Sequence, residues 1–246
     1  DGTIDWQSGD GSGPYKLNHN EFGVSHSLTR HDDWHDIDSG AYFDAIEIAV
    51  LNDPNARQTA LVTNDVDAVS SIELKTLALL KRNPDIEIDN VPGGGAITMP
   101  MHTNKAPYDN YDVRMALKLA IDRQELIDKI AFGAATIGND HHISPALPYW
   151  PDDIPQRQYD PDQAKFHLKK AGMENFKCAM VTADVVYSGA VDLCVLYSEQ
   201  AKAAGIEMTV DRRPNDGFWS EVWLVEPFSI VQWGSRPTPD QIFTIA

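Results

Sequence analysis

The stretch from Asp109 to Gly133, DNYDVRMALKLAIDRQELIDKIAFG, constrains the fold more than any other part of the chain. Val113, Ala116, Leu117, Ala120 and Ile121 recur at i, i+3, i+4, i+7 and i+8, which is the apolar stripe of an amphipathic helix. Leu126, Ile127 and Ile130 resume the pattern after Asp122. The spacing predicts two helices, or one helix with a break. Asp112 is expected to cap the first and Asp122 the second, because a short carboxylate accepts hydrogen bonds from the free N–H groups of a first turn. Gly133 stands where a left-handed residue ends a helix. Pattern alone makes this stretch a buried helix pair in an α/β protein.

Around it the chain alternates strand and helix signals. Tyr15–Asn18 and the segment from Glu21 to Arg30 read as a hairpin after an exposed loop over residues 1–14, and Ala45–Val50 reads as a further strand. Asp53-Pro54 opens a helix that ends near Asn64, followed by a brief strand over Val66–Val69. Leu74–Leu80 reads as helix and Ile86–Ile88 as strand. Gly93, Gly94 and Gly95 then allow a hinge, a tight approach of backbone to ligand or a loose turn. Ile97–Asn104 is an expected strand in which Pro100 implies an edge or a crossing between domains. Tyr159-Asp160-Pro161 starts a helix stopped by Gly172. Phe176–Thr182, Ala190–Ala204 and Ile206–Val210 form a β-α-β series with parallel pairing. Phe218–Trp223 reads as helix and Phe228–Trp233 as a last strand.

Charge and composition remove several function classes. Twenty Lys and Arg against 37 Asp and Glu give a net charge of −17, which is the wrong sign for a phosphate-binding face, so nucleic acid is not an expected partner. No apolar run reaches the roughly 18 residues of a membrane span. The acidic, polar N-terminus is not a secretory signal, as in a mature or shortened protein. Cys178 and Cys194 form no metal motif; two buried free thiols are expected rather than a bridge. The glycine run lacks the spacing and following helix of a dinucleotide fingerprint. No nucleophile elbow or local catalytic cysteine signature is present.

Particular phrases resemble the family 5 solute-binding proteins of ABC importers for peptides, nickel and related solutes. They are Tyr111-Asp112-Val113-Arg114-Met115-Ala116-Leu117, Ala120-Ile121-Asp122-Arg123 and Phe132-Gly133. Tyr159-Asp160-Pro161 with Ala164-Lys165 and Ala171-Gly172, Gly11-Ser12-Gly13-Pro14-Tyr15, and Ala56-Arg57 through Asp65-Val66-Asp67 add to them. The resemblance implies an α/β, periplasmic-binding-protein-like two-lobe fold (type II), incomplete at both ends. Residues 1–104 would form part of lobe one and 105–246 most of lobe two. It further implies a periplasmic or extracytoplasmic monomer that binds a small-molecule or peptide-like solute by hinge closure and hands it to the permease subunits. No reaction, cofactor or metal is implied.

Six residues are candidate ligand contacts. Trp233 offers a stacking wall and Arg236 a fork of donors suited to a carboxylate. Peptide-binding relatives carry an aspartate where Arg236 stands, so an anionic or zwitterionic solute fits better than a peptide clamped by its amine. The alternative for this pair is a core tryptophan with Arg236 paired to Asp240 or another acid. His141 and His142 lie in a proline-rich loop expected to face the cleft, and Gly94 and Gly95 flank the expected lobe crossing. A metal-dependent hydrolase built on His141, His142 and an acid is a second reading. A sensor or chaperone-type binding module is a third. Trp150 could be a cleft wall or a packed staple. Trp219 and Trp223, four residues apart on one helical face, read as core.

Overall fold

Three antiparallel strands open the described part of the chain. In the computed structural model, which describes residues 11–70, 72–91 and 93–245, they are β1 (Tyr15–Glu21), β2 (Ser25–Arg30) and β3 (Ala45–Ala49), in that order across the sheet. The expected loop before Gly11 lies outside the described residues. Leu17 pairs with Leu28 and Leu28 with Ile46, so period-2 alternation places one apolar row across the sheet. Helix α1 (Pro54–Val62) follows. Asp53 accepts from the Ala56 N–H at 2.8 Å, Pro54 occupies a first-turn position, and Asn64 takes the left-handed conformation. These elements form one compact unit, through Ser70; a second runs from Ser71 onward. The lobe division at 104/105 is a different partition, and we retain it as a proposal.

The second unit begins with the short helix α2 (Leu77–Leu80) and strand β4 (Ala96–Thr98). Then come α3 (Tyr111–Leu119), α4 (Arg123–Lys129), α5 (Pro161–Lys170), β5 (Lys177–Thr182) and α6 (Ala190–Ala201). Last are β6 (Glu207–Arg212), α7 (Phe218–Glu221), β7 (Val231–Trp233) and α8 (Pro239–Ile245). The strands expected at Val66–Val69 and Ile86–Ile88 are turn and irregular backbone instead. Such short runs hold strand geometry only where a ladder partner satisfies their backbone, and neither has one among the described residues. The β5-α6-β6 series is parallel, from Lys177 opposite Glu207 to Thr182 opposite Arg212. On the other side of β5, the Val181 N–H donates to Phe228 and its carbonyl accepts from Ile230. The chain then leaves β5, and β7 pairs antiparallel with β4. One predicted strand over Phe228–Trp233 therefore serves two sheets in turn.

The core follows the stripe read from the sequence. Val113, Ala116, Leu117, Ala120, Ile121 and Leu126 are buried with Ala164 and Leu168 of α5, Met180 of β5 and Cys194 of α6. One cap differs from expectation. Asn110, not Asp112, caps α3, accepting from the Asp112 N–H at 2.8 Å. The helix starts one residue after Asn110, whose extended backbone suits a cap. Asp112 instead ties α3 to α5, accepting from His167 Nδ1 at 2.7 Å and Lys170 Nζ at 3.0 Å. His167 and Lys170 hold its carboxyl below the usual carboxylate range. Asp122 caps α4 as expected, accepting from Glu125 N–H at 3.0 Å, and Gly133 takes φ +75°. Both cysteines are free thiols; burial pushes Cys194 up to about 12.

The break between α3 and α4 lies in this core and needs polar partners. Buried Gln200 of α6 supplies them: its Oε1 accepts from Asp122 N–H at 2.9 Å and its Nε2 donates to Asp122 O and Glu125 Oε2. Tyr197 donates to Leu117 O at 2.7 Å. Gln200→Leu fills the same space without those bonds, so we expect a loss of about 1–3 kcal/mol. Asn110→Ala, which removes one solvent-accessible cap, should cost about 1 kcal/mol. Urea unfolding of both variants checks the ranking; equal or reversed losses would count against the break as the critical point.

Candidate functional site

β7 places Trp233 at its C-terminal end, opposite Ala96, so the glycine segment before β4 lies against the strap that follows Trp233. A Cβ on Gly94 would sit 2.2 Å from Ser235 Oγ, 2.9 Å from Ser235 Cβ and 3.4 Å from Leu147 Cδ2. One on Gly95 would meet only Trp233 O, at 3.4 Å. At Gly94 the backbone thus comes close to the Ser235 side chain, a closeness that a side chain of its own would prevent. Ser144 Oγ donates to Gly93 O at 2.9 Å, so the histidine-bearing loop touches the same segment.

That loop carries two histidines pointing at different tryptophans. His141 lies 5.0 Å from Trp150 between ring centroids, and His142 lies 5.3 Å from Trp233, edge to face. Trp223 closes on Trp233 at 5.4 Å, also edge to face. Trp233 thus stands between His142 and Trp223, and His141 with Trp150 forms a second ring pair in the same loop. Both His141 nitrogens and Trp233 Nε1 are shielded from solvent without a hydrogen-bond partner, unusual for buried polar atoms. Burial, with His141 alongside, holds the His142 pKa below the ordinary histidine range. Arg236 bends back over Gly234 and donates to Ser235 O at 3.0 Å. It forms no ion pair among the described residues, so the alternative pairing with Asp240 is absent. Arg236, Asp240, Gln241 and Thr244 line an open recess of about 390 Å³.

Among the sequence candidates, His142 and Gly95 meet Trp233, Gly94 lies against Ser235 two residues on, His141 packs on Trp150 in the same loop, and Arg236 adjoins Gly234. Trp223 was expected in the core with Trp219, yet the two diverge: Trp219 is 45% exposed, Trp223 packs on Trp233, and Phe218 takes the buried position. The cause is the shortness of α7, which ends at Glu221, so helical spacing no longer relates the two indoles. Because His141 and His142 face apart, they do not converge on one ion. Among the described residues, no cluster of three or more His, Cys, Asp or Glu could hold a metal.

Two predictions test this geometry. Gly94→Ala should destabilise the protein by about 1–3 kcal/mol, because Ser235 must move, whereas Gly95→Ala should be near neutral; thermal denaturation of both compares them. His142 is more easily protonated unfolded than folded, so stability should fall as pH drops through about 6.5. His142→Gln should shallow that slope. An unchanged slope between pH 7 and 5 would exclude His142 as a contributor.

Comparison with known proteins places the chain in a family. The profile of bacterial extracellular solute-binding proteins, family 5 Middle, matches residues 5–245. The nickel-binding periplasmic protein of Escherichia coli is 32% identical over 131 residues, 52% of this chain and 25% of that protein. Heme-binding protein A of Haemophilus influenzae is 30% identical over 132 residues, 54% of this chain and 24% of that protein. The periplasmic binding protein DppA of Helicobacter pylori, solved in complex with the peptide STSA, superposes with a TM-score of 0.77 at 22% identity, covering 93% of this chain and 44% of that one. The chain thus spans less than half the length of these relatives while retaining their α/β binding-protein fold. It belongs to the family 5 bacterial extracellular solute-binding proteins.

Proposed function

We propose that this chain is part of the solute-binding component of an ABC importer, acting outside the cytoplasm as a monomer that hands its solute to the permease. The observation that carries the reading is the packing of His142 and the glycine segment against Trp233 and Ser235 at the end of β7, in a chain of this family. The role is binding, not bond-making. Solute held between two lobes stabilises the closed form by its differential affinity for that form.

Arg236 supports a small polar or anionic solute, or a peptide-like one bound through its carboxylate. Among the described residues its guanidinium bonds only to a neighbouring carbonyl, leaving donors for a planar, bidentate anion. The metal-hydrolase alternative lacks a ligand set among the described residues. Nothing in the geometry favours a sensor or chaperone. No helix among the described residues is long and apolar enough to cross a membrane.

Thermal-shift screening of the full gene product against nickel, heme and the peptide STSA tests the reading. A true ligand at 100 times its Kd adds about 2.7 kcal/mol of stability. For an anionic ligand, Arg236→Ala should raise Kd by about 10-fold or more, the loss of a charge-assisted hydrogen bond. The 246-residue chain alone should bind more weakly than the full product, since it offers fewer of the contacts. Equal affinity of the two would refute the two-lobe account, and unchanged affinity in Arg236→Ala would remove the anion reading.

A further inference from the structure

We propose that Asp140, held between Arg123 and Arg157, is the positioning residue that closes the His141–Trp150 loop at its neck and presents it for solute capture. The inference rests on the reading of that loop as part of the solute site.

The neck is built from residues far apart in sequence. Asp140 Oδ1 accepts from Arg123 Nη2 at 2.5 Å, and its Oδ2 accepts from Arg157 Nη1. Asn139, itself buried, donates through Nδ2 to Ile154 O at 2.9 Å and Pro155 O at 3.2 Å, while its Oδ1 accepts from Arg157 N–H at 3.2 Å. Residues 139 and 140 thus grip residues 154 to 157, and the 13 residues between them, numbers 141–153, form a closed loop. Inside it lie His142, which meets Trp233, Ser144 and Leu147, which meet the glycine segment, and the His141–Trp150 pair.

Arg123 gives the neck its foundation. It stands in the first turn of α4 and also donates to Lys118 O at 3.1 Å, so it is fixed to both sides of the helix break. The ion pairs are shielded: Asp140, Arg123 and Arg157 side chains are 13%, 15% and 27% exposed. Shielded pairs of this kind are costly to break one-sidedly, because the survivor is a desolvated charge. Here the survivors would be several. Lys118 also lies close enough to Arg123 and Arg157 for their charges to disfavour its protonation, after the larger effect of its own burial. Asp140 is the sole carboxylate paired with Arg123 or Arg157 among the described residues. Without it the two cations repel. Asp140 also has φ +58°, a left-handed conformation that an aspartate tolerates better than most residues and that its two ion pairs help to retain.

The two arginines are not equivalent. Loss of Arg157 leaves Asp140 still paired with Arg123, whereas loss of Asp140 unpairs both. The effects should therefore be ordered, with Asp140→Ala the larger, and the double variant Asp140→Ala/Arg157→Ala no worse than Asp140→Ala alone.

The test uses the full gene product with two readouts, His142 imidazole titration by NMR and the affinity for whichever of nickel, heme and the peptide STSA stabilises the wild type most. In Asp140→Ala we expect His142 to titrate back up in the ordinary histidine range, and the probe's Kd to rise at least 10-fold, with cooperative unfolding retained. Simple removal of a nearby carboxylate would lower the histidine pKa, so an increase reports release of the loop. Unchanged or lowered titration in folded Asp140→Ala overturns the proposal, as does a released His142 with wild-type affinity. If Asp140→Ala fails to fold, Arg157→Gln, which keeps the Asp140–Arg123 pair, decides it: a partial upward shift of His142 supports the clamp and a wild-type curve overturns it. If no probe binds the wild type, the solute reading is what fails, and the His142 titration still decides whether Asp140 holds the loop.

Discussion

Everything in the second unit depends on how a break in a buried helix pair is satisfied. A helix end exposes backbone groups that have no partner of their own, and water cannot supply one in a core. Gln200 and Tyr197 of α6 bond to the residues around that break, while the apolar stripe of α3 packs on α5 and β5. Asp160 N–H, at the start of α5, takes Leu119 O at 2.9 Å, so the end of α3 is bound from another side as well. The α3–α4 junction is consequently a fixed reference point rather than a hinge.

That fixed point is what the candidate site is measured from. Arg123 projects from the junction, Asp140 is bound to Arg123, and the loop that follows Asp140 reaches Trp233 and the glycine segment. From the other direction, β5 pairs with the 228–230 segment, and the chain runs on through β7 to Trp233. Loop and strap thus meet from opposite ends of one scaffold, with Gly94 small enough to let them touch. A site made of loops gains its geometry from such attachments, since the loops have no ladder or helix of their own.

The legible part of the sequence was the part governed by local rules. The stripe from Val113 to Ile121, the cap at Asp122, the left-handed Gly133 and the β-α-β pairing all follow from spacing and backbone preference. Asp112 misled because two capping residues stood within one turn, and only the position of α5 shows which of them is needed elsewhere. The strands expected at Val66–Val69 and Ile86–Ile88 failed for want of a neighbour, which no run of a few residues can reveal. At the site, Trp233, His141, His142 and Gly94 could be named from residue type and resemblance. Trp223 was hidden by a helix that ended early. Asp140 stood out only as the neighbour of the histidines; its pairing with Arg123 and Arg157 carried no signal, because both lie 17 residues away and meet it only through the fold.

The pairing of β4 with β7 joins segments more than 130 residues apart, whereas β5 and β6 are linked by a single intervening helix. Closing so long a stretch of chain costs more entropy than forming the local β-α-β unit, and distant contacts form slowly for that reason. During synthesis, the glycine segment emerges early and waits for Trp233 to leave the ribosome. The ring contacts at Trp233 therefore cannot form until the chain through β7 has been made.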